Sequence, residues 1–158
     1  MSSKQDIIAG LLAARQRILD ALSNLPLDKQ DEVFLGIWSI KDLLAHLVGW
    51  DVTNIEAVTD IRAGRPPRVF QHWDPEWAKY NAELVRKYKH DNFSELLDSI
   101  QQSHAALIEF VRIVPAEGID KDYGIRSPGG TNITVERFLQ FEIEDEGRHY
   151  QQIHEWLN

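Results

Sequence analysis

Residues Ser39–Gly64 read SIKDLLAHLVGWDVTNIEAVTDIRAG, and their periodicity decides the fold class. Ile40, Leu43, Leu44, Leu47, Ile55, Val58 and Ile61 recur at three- and four-residue spacing, the period of an amphipathic helix. Ser39 and Asp42 are spaced as a capping box, in which each side chain satisfies the other's backbone N–H. Gly64–Arg65–Pro66–Pro67 ends the helix, because proline has no N–H and cannot continue the ladder.

Three further stretches share this period. The first runs from about Gln5 to Leu25, with Ser3 and Asp6 as its box and Pro26 at its exit. The third long helix starts near Asn92, with Glu95 as box partner, and stops before Pro115. The fourth runs from Thr134, a cap, to Trp156, with Phe138, Leu139, Ile143 and Ile153 on its apolar side. The crossover from Arg65 to Asp91 is too long for a bare connection. Within it Asp74–Pro75–Glu76 reads as a helix start, and Trp77, Tyr80, Leu84 and Val85 as one apolar face. Gly118 to Thr131 reads as loop, turning at Ser127–Pro128–Gly129–Gly130. No segment alternates as a strand would, and no repeat or linker interrupts the chain. The expectation is all-α: one domain over residues 1–158, a four-helix bundle. Its order is up-down-down-up, because the long crossover, holding a short extra helix, lets the second and third long helices run parallel.

Composition narrows the function. The 158 residues contain no cysteine, which excludes disulfides, thiolate metal sites and a Cys nucleophile. A formal charge of −8 disfavours a nucleic-acid partner. No apolar run approaches the roughly 20 residues that span a bilayer, so no membrane role is expected. MSSKQDIIAG lacks the order of a signal peptide, and a cytoplasmic location is expected. There is no P-loop and no G-x-S-x-G elbow.

The anomaly is in the fourth helix. On a wheel of about 100° per residue, Glu142, Glu146 and His149 fall on or beside the face set by Phe138, Leu139, Ile153 and Trp156. Asp145 stands one turn before His149. A buried unpaired carboxylate costs several kcal/mol, so a cation, a metal or water must compensate. The second helix offers a partner: His46 follows Leu43 by three residues and precedes Trp50 by four, at the edge of the inward stripe. Two imidazoles and a carboxylate from facing helices suit zinc, or another divalent metal with open positions. Asp145 and His149, spaced i, i+4, can both reach one ion.

Blander readings stay open on spacing alone. His46 could be a core histidine bonded to a neighbour. The acids could form a solvated face, and His149 could pair with Glu142 or Glu146 across a dimer seam. His104, between Ile100 and Ile108, reads as core packing. His72, His90 and His154 read as surface residues. Trp38, Trp50 and Trp156 read as core, and Trp73 and Trp77 as the mouth of a pocket.

Trp38–Ser39–Ile40–Lys41–Asp42–Leu43–Leu44–Ala45–His46–Leu47 resembles the start of the second helix in the DinB-like superfamily of bacterial four-helix bundles. His149–Tyr150–Gln151–Gln152–Ile153 resembles that superfamily's closing H-x-x-Q-I run. The Trp77 to Val85 region, with Asn81, is similar to the branch near the ClbS/DfsB-type proteins. The resemblance implies a metal set of one histidine on the second helix and two on the fourth. His46 and His149 match its first and last positions, while the middle one falls on Asp145. An aspartate there implies zinc, nickel, manganese or iron, with Glu142 as reserve ligand and an open position for water or a substrate thiolate. The resemblance further implies thiol-dependent transferases and isomerases as relatives, and protection against a reactive electrophile in the ClbS-like branch.

Two functional expectations follow. One is a metal-dependent hydrolase or thiol-dependent transferase that detoxifies a small reactive molecule, with Trp50, Trp73 and Trp77 lining the approach. The alternative is a non-catalytic stress or ligand-binding bundle with a degenerate metal site. Either is expected as a homodimer, with a small-molecule ligand and, under the first reading, a low-molecular-weight thiol as partner.

Overall fold

The computed structural model describes residues 3–72 and 77–158. Among the described residues the chain forms α1 (Lys4–Leu22), α2 (Ile40–Arg62), α3 (Ala78–Tyr88), α4 (Phe93–Ile113) and α5 (Val135–Leu157). The starts of α1 and α2 are the capping boxes read in the sequence, Ser3 with Asp6 and Ser39 with Asp42. Thr134 caps α5 by accepting from the Arg137 N–H, and Asn92 caps α4 by accepting from the Glu95 N–H. The box at α4 is only half formed. The Glu95 carboxylate turns instead to His90 Nε2, 2.6 Å away. The expected start at Asp74–Pro75–Glu76 lies outside the described residues, and α3 is first seen at Ala78.

The four long helices pack α1 on α5 and α2 on α4, with α1 also meeting α4 and α2 meeting α5. Cross-links give the directions. Arg15 meets Glu146 and Arg17 meets Tyr150, so α1 and α5 run parallel. His46 faces His149 while Asn54, two turns on, meets Glu142, so α2 and α5 are antiparallel. Lys4 Nζ donates to the carbonyls of Arg112 and Val114 while Arg15 reaches Ile100, so α1 and α4 are antiparallel. The order is up-down-down-up, as the crossover length predicts. The crossover holds α3, which packs on α2 with Leu84 against Gly49. Lys89, just past α3, places Nζ 2.8 Å from the Asp42 carboxylate and so ties the far end of α3 to the start of α2.

One short element differs from the sequence reading. Val33–Leu35 (β1) and Trp38–Ser39 (β2) pair antiparallel about Gly36, whose φ is +61°. Strands of three and two residues are too short for alternation to show in the sequence.

The core is split. One apolar cluster gathers Ile18, Leu22, Ile40, Leu43, Ile100 and Ile153. The other gathers Leu11, Val58, Ile61, Leu107, Val111 and Leu139. Between them every long helix turns polar at one level: Arg15 on α1, Asp51 and Asn54 on α2, His104 on α4, Glu142 and Glu146 on α5, all buried.

Candidate metal centre

Two groups of metal-capable side chains lie in or beside this polar belt. In the first, the carboxylate of Asp145 stands between two imidazoles. Its Oδ2 is 3.2 Å from His149 Nε2 and 3.9 Å from His46 Nε2, and all three donors lie within 4.8 Å of one another. The two rings are 5.1 Å apart, nearly edge to face. Donors about 2.0–2.2 Å from zinc sit roughly 3.3–3.5 Å apart in a tetrahedron, so small side-chain rotations bring this set onto one ion. Asp145 Oδ1 is already held by Arg148 Nη2 at 2.8 Å.

The nitrogens fit a metal for a second reason. Both nitrogens of His46 are buried without a hydrogen-bond partner, and His149 Nε2 meets only the Asp145 carboxylate. Buried imidazoles ordinarily find partners, and each orphaned nitrogen is costly. His149 Nδ1 is 2.8 Å from Gln152 Oε1. A neutral His149 would donate there, leaving the Nε2 lone pair facing Asp145; ligating histidines are generally oriented this way. Burial pushes the pKa of His46 down, favouring the neutral form that ligates metals. Burial also works against charge on His149, but the Asp145 carboxylate beside it prevails and raises its pKa. Asp145 is held below the usual carboxylate range: burial opposes its charge, and His149, His46 and Arg148 outweigh burial.

The second group, Asp51, His104 and Glu146, already has its cation. The Arg15 guanidinium, 2% exposed, sits 2.9 Å from Asp51 Oδ1 and 2.5 Å from Glu146 Oε1, and also donates to the Ile100 carbonyl. Ser103 Oγ donates to Asp51 Oδ2. The charge that Glu146 needs is thus supplied from α1, by a residue the sequence reading passed over. Arg15 is four residues after Leu11 and three before Ile18, on the apolar stripe itself, and that position was the available signal.

A cavity of about 560 Å³ opens from the first group. His46 and Asp145 stand in its wall, so a fourth coordination position would face the cavity. Trp50, Phe70, Trp77, Phe138 and Phe141 form its apolar side. The Trp50 indole N–H donates to Asn81 Oδ1 at 2.7 Å, and Trp50 and Trp77 meet edge to face at 5.9 Å. Trp50 and Trp77 both line this cavity, and Trp50 is half-buried against the core. Trp38 and Trp156 are also only half-buried. Trp73 lies outside the described residues.

Glu142 also lines this cavity but does not join the donors. It shares a wheel position with His149, yet seven residues of α5 separate them along the axis by roughly 10 Å. Burial, then the nearby Glu146, Asp51 and Asp145 charges, push the Glu142 pKa well above its ordinary value, and hydrogen bonding to Asn54 only partly offsets them. Burial and the neighbouring acids thus favour the uncharged form of Glu142 on the cavity wall. His104 is buried beside Asp51, in keeping with a core role, while His72, His90 and His154 are exposed.

Comparison with known proteins agrees with this architecture. The sequence family described as the DinB superfamily matches residues 11–153. A crystal structure of a protein from Streptococcus pneumoniae superposes with a TM-score of 0.77 at 15% identity, covering 99% of this chain and 91% of that one. An uncharacterised protein from Escherichia coli UTI89 superposes with a TM-score of 0.74 at 14% identity, covering 99% and 93%. At these identities the likeness is one of fold. No curated protein matches the chain. No helix among the described residues is long and apolar enough to cross a membrane.

Proposed function

Because the chain belongs to the DinB superfamily, we propose that it is a metal-dependent enzyme acting on a small reactive or electrophilic molecule, as a hydrolase or thiol-dependent transferase. The observation that carries this reading is the convergence of His46, Asp145 and His149 at the wall of an aromatic cavity, with both nitrogens of His46 buried and unpartnered. A divalent ion there (zinc, nickel, manganese or iron) supplies Lewis acidity and lowers the pKa of a bound water or thiol.

The chain's own groups do the rest. Gln152 orients His149. The Trp50 and Trp77 rings exclude water and receive an apolar substrate. The Glu142 carboxyl holds a proton on the cavity wall, where it can be passed to a leaving group. A low-molecular-weight thiol as co-substrate, a role in detoxification or stress, a cytoplasmic location and a homodimer belong to the same proposal. So does kinship with the ClbS/DfsB-type branch, supported by Asn81 on α3 bonding Trp50.

One observation favours a second reading, a non-catalytic bundle with a degenerate site. Arg148 neutralises Asp145 from outside, as an ion would from inside. The two readings part on metal. Protein purified without chelator is analysed for metal content, and its melting is followed with added zinc, nickel and manganese. An ion bound by the native state raises the melting temperature. The enzyme reading expects about one ion per chain and its loss in His46→Ala with the fold kept. No uptake and no change in melting would leave only the second reading.

A further inference from the structure

The cavity that starts at His46 and Asp145 is longer than a metal and its water require. Along α5 its wall runs from Asp145 through Glu142, Phe141 and Phe138 to Arg137, eight residues or roughly 12 Å of helix rise. Its aromatic side is Trp50, Trp77 and Phe70, the last with Phe138 6.4 Å away. Trp77 is held at φ +56°, a conformation that a bulky residue adopts at a cost of order 1–3 kcal/mol. That backbone places the indole on the cavity wall.

Charge distinguishes the two ends. Asp145, already paired with Arg148, stands at one, beside Glu142. Arg137 stands at the other, and Ser127 and Thr131 of the loop before α5 also line the cavity. The second arginine of the wall, Arg148, is paired with Asp145, whereas no carboxylate among the described residues pairs with Arg137. This occurs in a chain with 25 acidic residues against 17 Lys and Arg. A guanidinium that no described carboxylate occupies, at the edge of an aromatic slot, is a fork shaped for one carboxylate. A phosphate dianion would call for more donors than one arginine and two hydroxyls.

We infer that the cavity takes an elongated, largely apolar carboxylic acid, its flat body against Trp50, Trp77 and Phe138 and its carboxylate on Arg137, about two helical turns from the His46–Asp145 end. The guanidinium of Arg137 thereby fixes the direction of entry, presenting the far end of the molecule to the donors. That this far end is the reacting one rests on the metal-enzyme reading above. The binding itself does not.

The test uses biphenyl-4-carboxylate and its neutral counterpart biphenyl-4-carboxamide, titrated calorimetrically into wild type and Arg137→Gln with EDTA present. Wild type is expected to bind the acid about tenfold or more tighter than the amide, a preference that weakens with salt. In Arg137→Gln the two probes should bind alike, with amide affinity within about twofold of wild type. Equal binding of acid and amide by wild type, survival of the preference in Arg137→Gln, or no binding of either probe would overturn the inference. Zinc titration of the same two proteins without EDTA separates the two readings. No metal uptake beside an Arg137-dependent preference defeats the metal-enzyme reading and leaves this one. Normal uptake without the preference defeats this one alone.

Discussion

Asp145 Oδ2 and His149 Nε2, one turn apart on α5, stand 3.2 Å from each other. Without a metal they form an ion pair whenever His149 is protonated, and pH controls it from both sides. The folded pKa of His149 is raised, so its contribution to stability is complete below the unfolded value of about 6.5 and is lost as pH rises through the folded value. The folded pKa of Asp145 is depressed, so its contribution is present above about 3.9 and is lost as pH falls through the folded value. An ion at this site must displace the His149 proton. Zinc affinity, measured by competition with a chromophoric chelator, should therefore rise between about pH 6 and pH 8. Calorimetry in buffers of different ionisation enthalpy should detect the released proton. In Asp145→Asn the alkaline loss of metal-free stability should disappear; its persistence would count against the pair.

Gln152 is a positioning residue for the same imidazole, with Oε1 2.8 Å from His149 Nδ1. Gln152→Leu should weaken metal binding by roughly 10- to 100-fold, the usual scale for losing the outer partner of a ligating histidine. Melting of the metal-free protein should change little, because Gln152 is only partly buried. Retention of full zinc affinity in Gln152→Leu would show that His149 does not depend on this contact.

Arg15 has a different task. It is the cation of the polar belt, and its guanidinium stays charged: burial opposes that charge, but the Glu146 and Asp51 carboxylates dominate. Arg15→Met leaves both acids buried and unpaired and should cost about 3–5 kcal/mol by urea denaturation. The triple variant Arg15→Met, Asp51→Asn, Glu146→Gln should recover most of that loss, since a neutral belt of similar shape has no charge to strand. If the triple variant is no more stable than the single one, packing and not charge is what Arg15 supplies.

These residues also mark how far the sequence could be read. The long helices were legible because their apolar positions repeat over five or more turns and their caps are chemically specific. His46 and His149 were legible as polar residues on or beside apolar faces, and Asp145 by its spacing of one turn from His149. Glu142 was harder to place, because a wheel shows the face a residue occupies but not its height along the axis. Arg15 was hidden because a long cationic side chain on an apolar stripe usually snorkels to water. Only the acids on α2 and α5, distant in sequence, keep it inside. Asp51 and Asn54 went unread for the same reason: their partners are on other helices. The role inferred for Arg137 depends on the cavity walls that other segments build around it, and no single segment carries that information.

Gly49 and Gly10 give a matched pair that tests how closely α3 is seated on α2. A Cβ at Gly10 would meet the tip of the Ile143 side chain, Cδ1, at 2.8 Å. That tip can rotate away, and alanine gains about 1 kcal/mol of helix propensity over glycine, so Gly10→Ala should be near neutral or slightly stabilising. A Cβ at Gly49 would sit 2.8 Å from Leu84 Cβ and 2.9 Å from both its Cδ atoms. Leu84 Cβ is fixed to the α3 backbone, so relief requires the whole helix to move. Gly49→Ala should then lose about 1–3 kcal/mol despite the same propensity gain. Because α3 carries Tyr80 and Asn81, which bond Thr53 and the Trp50 indole, the same shift should disturb the cavity wall. Urea denaturation reads the first effect and tryptophan fluorescence the second. Equal stability of the two variants, with unchanged emission from Gly49→Ala, would mean that α3 rests on α2 less tightly than these distances require.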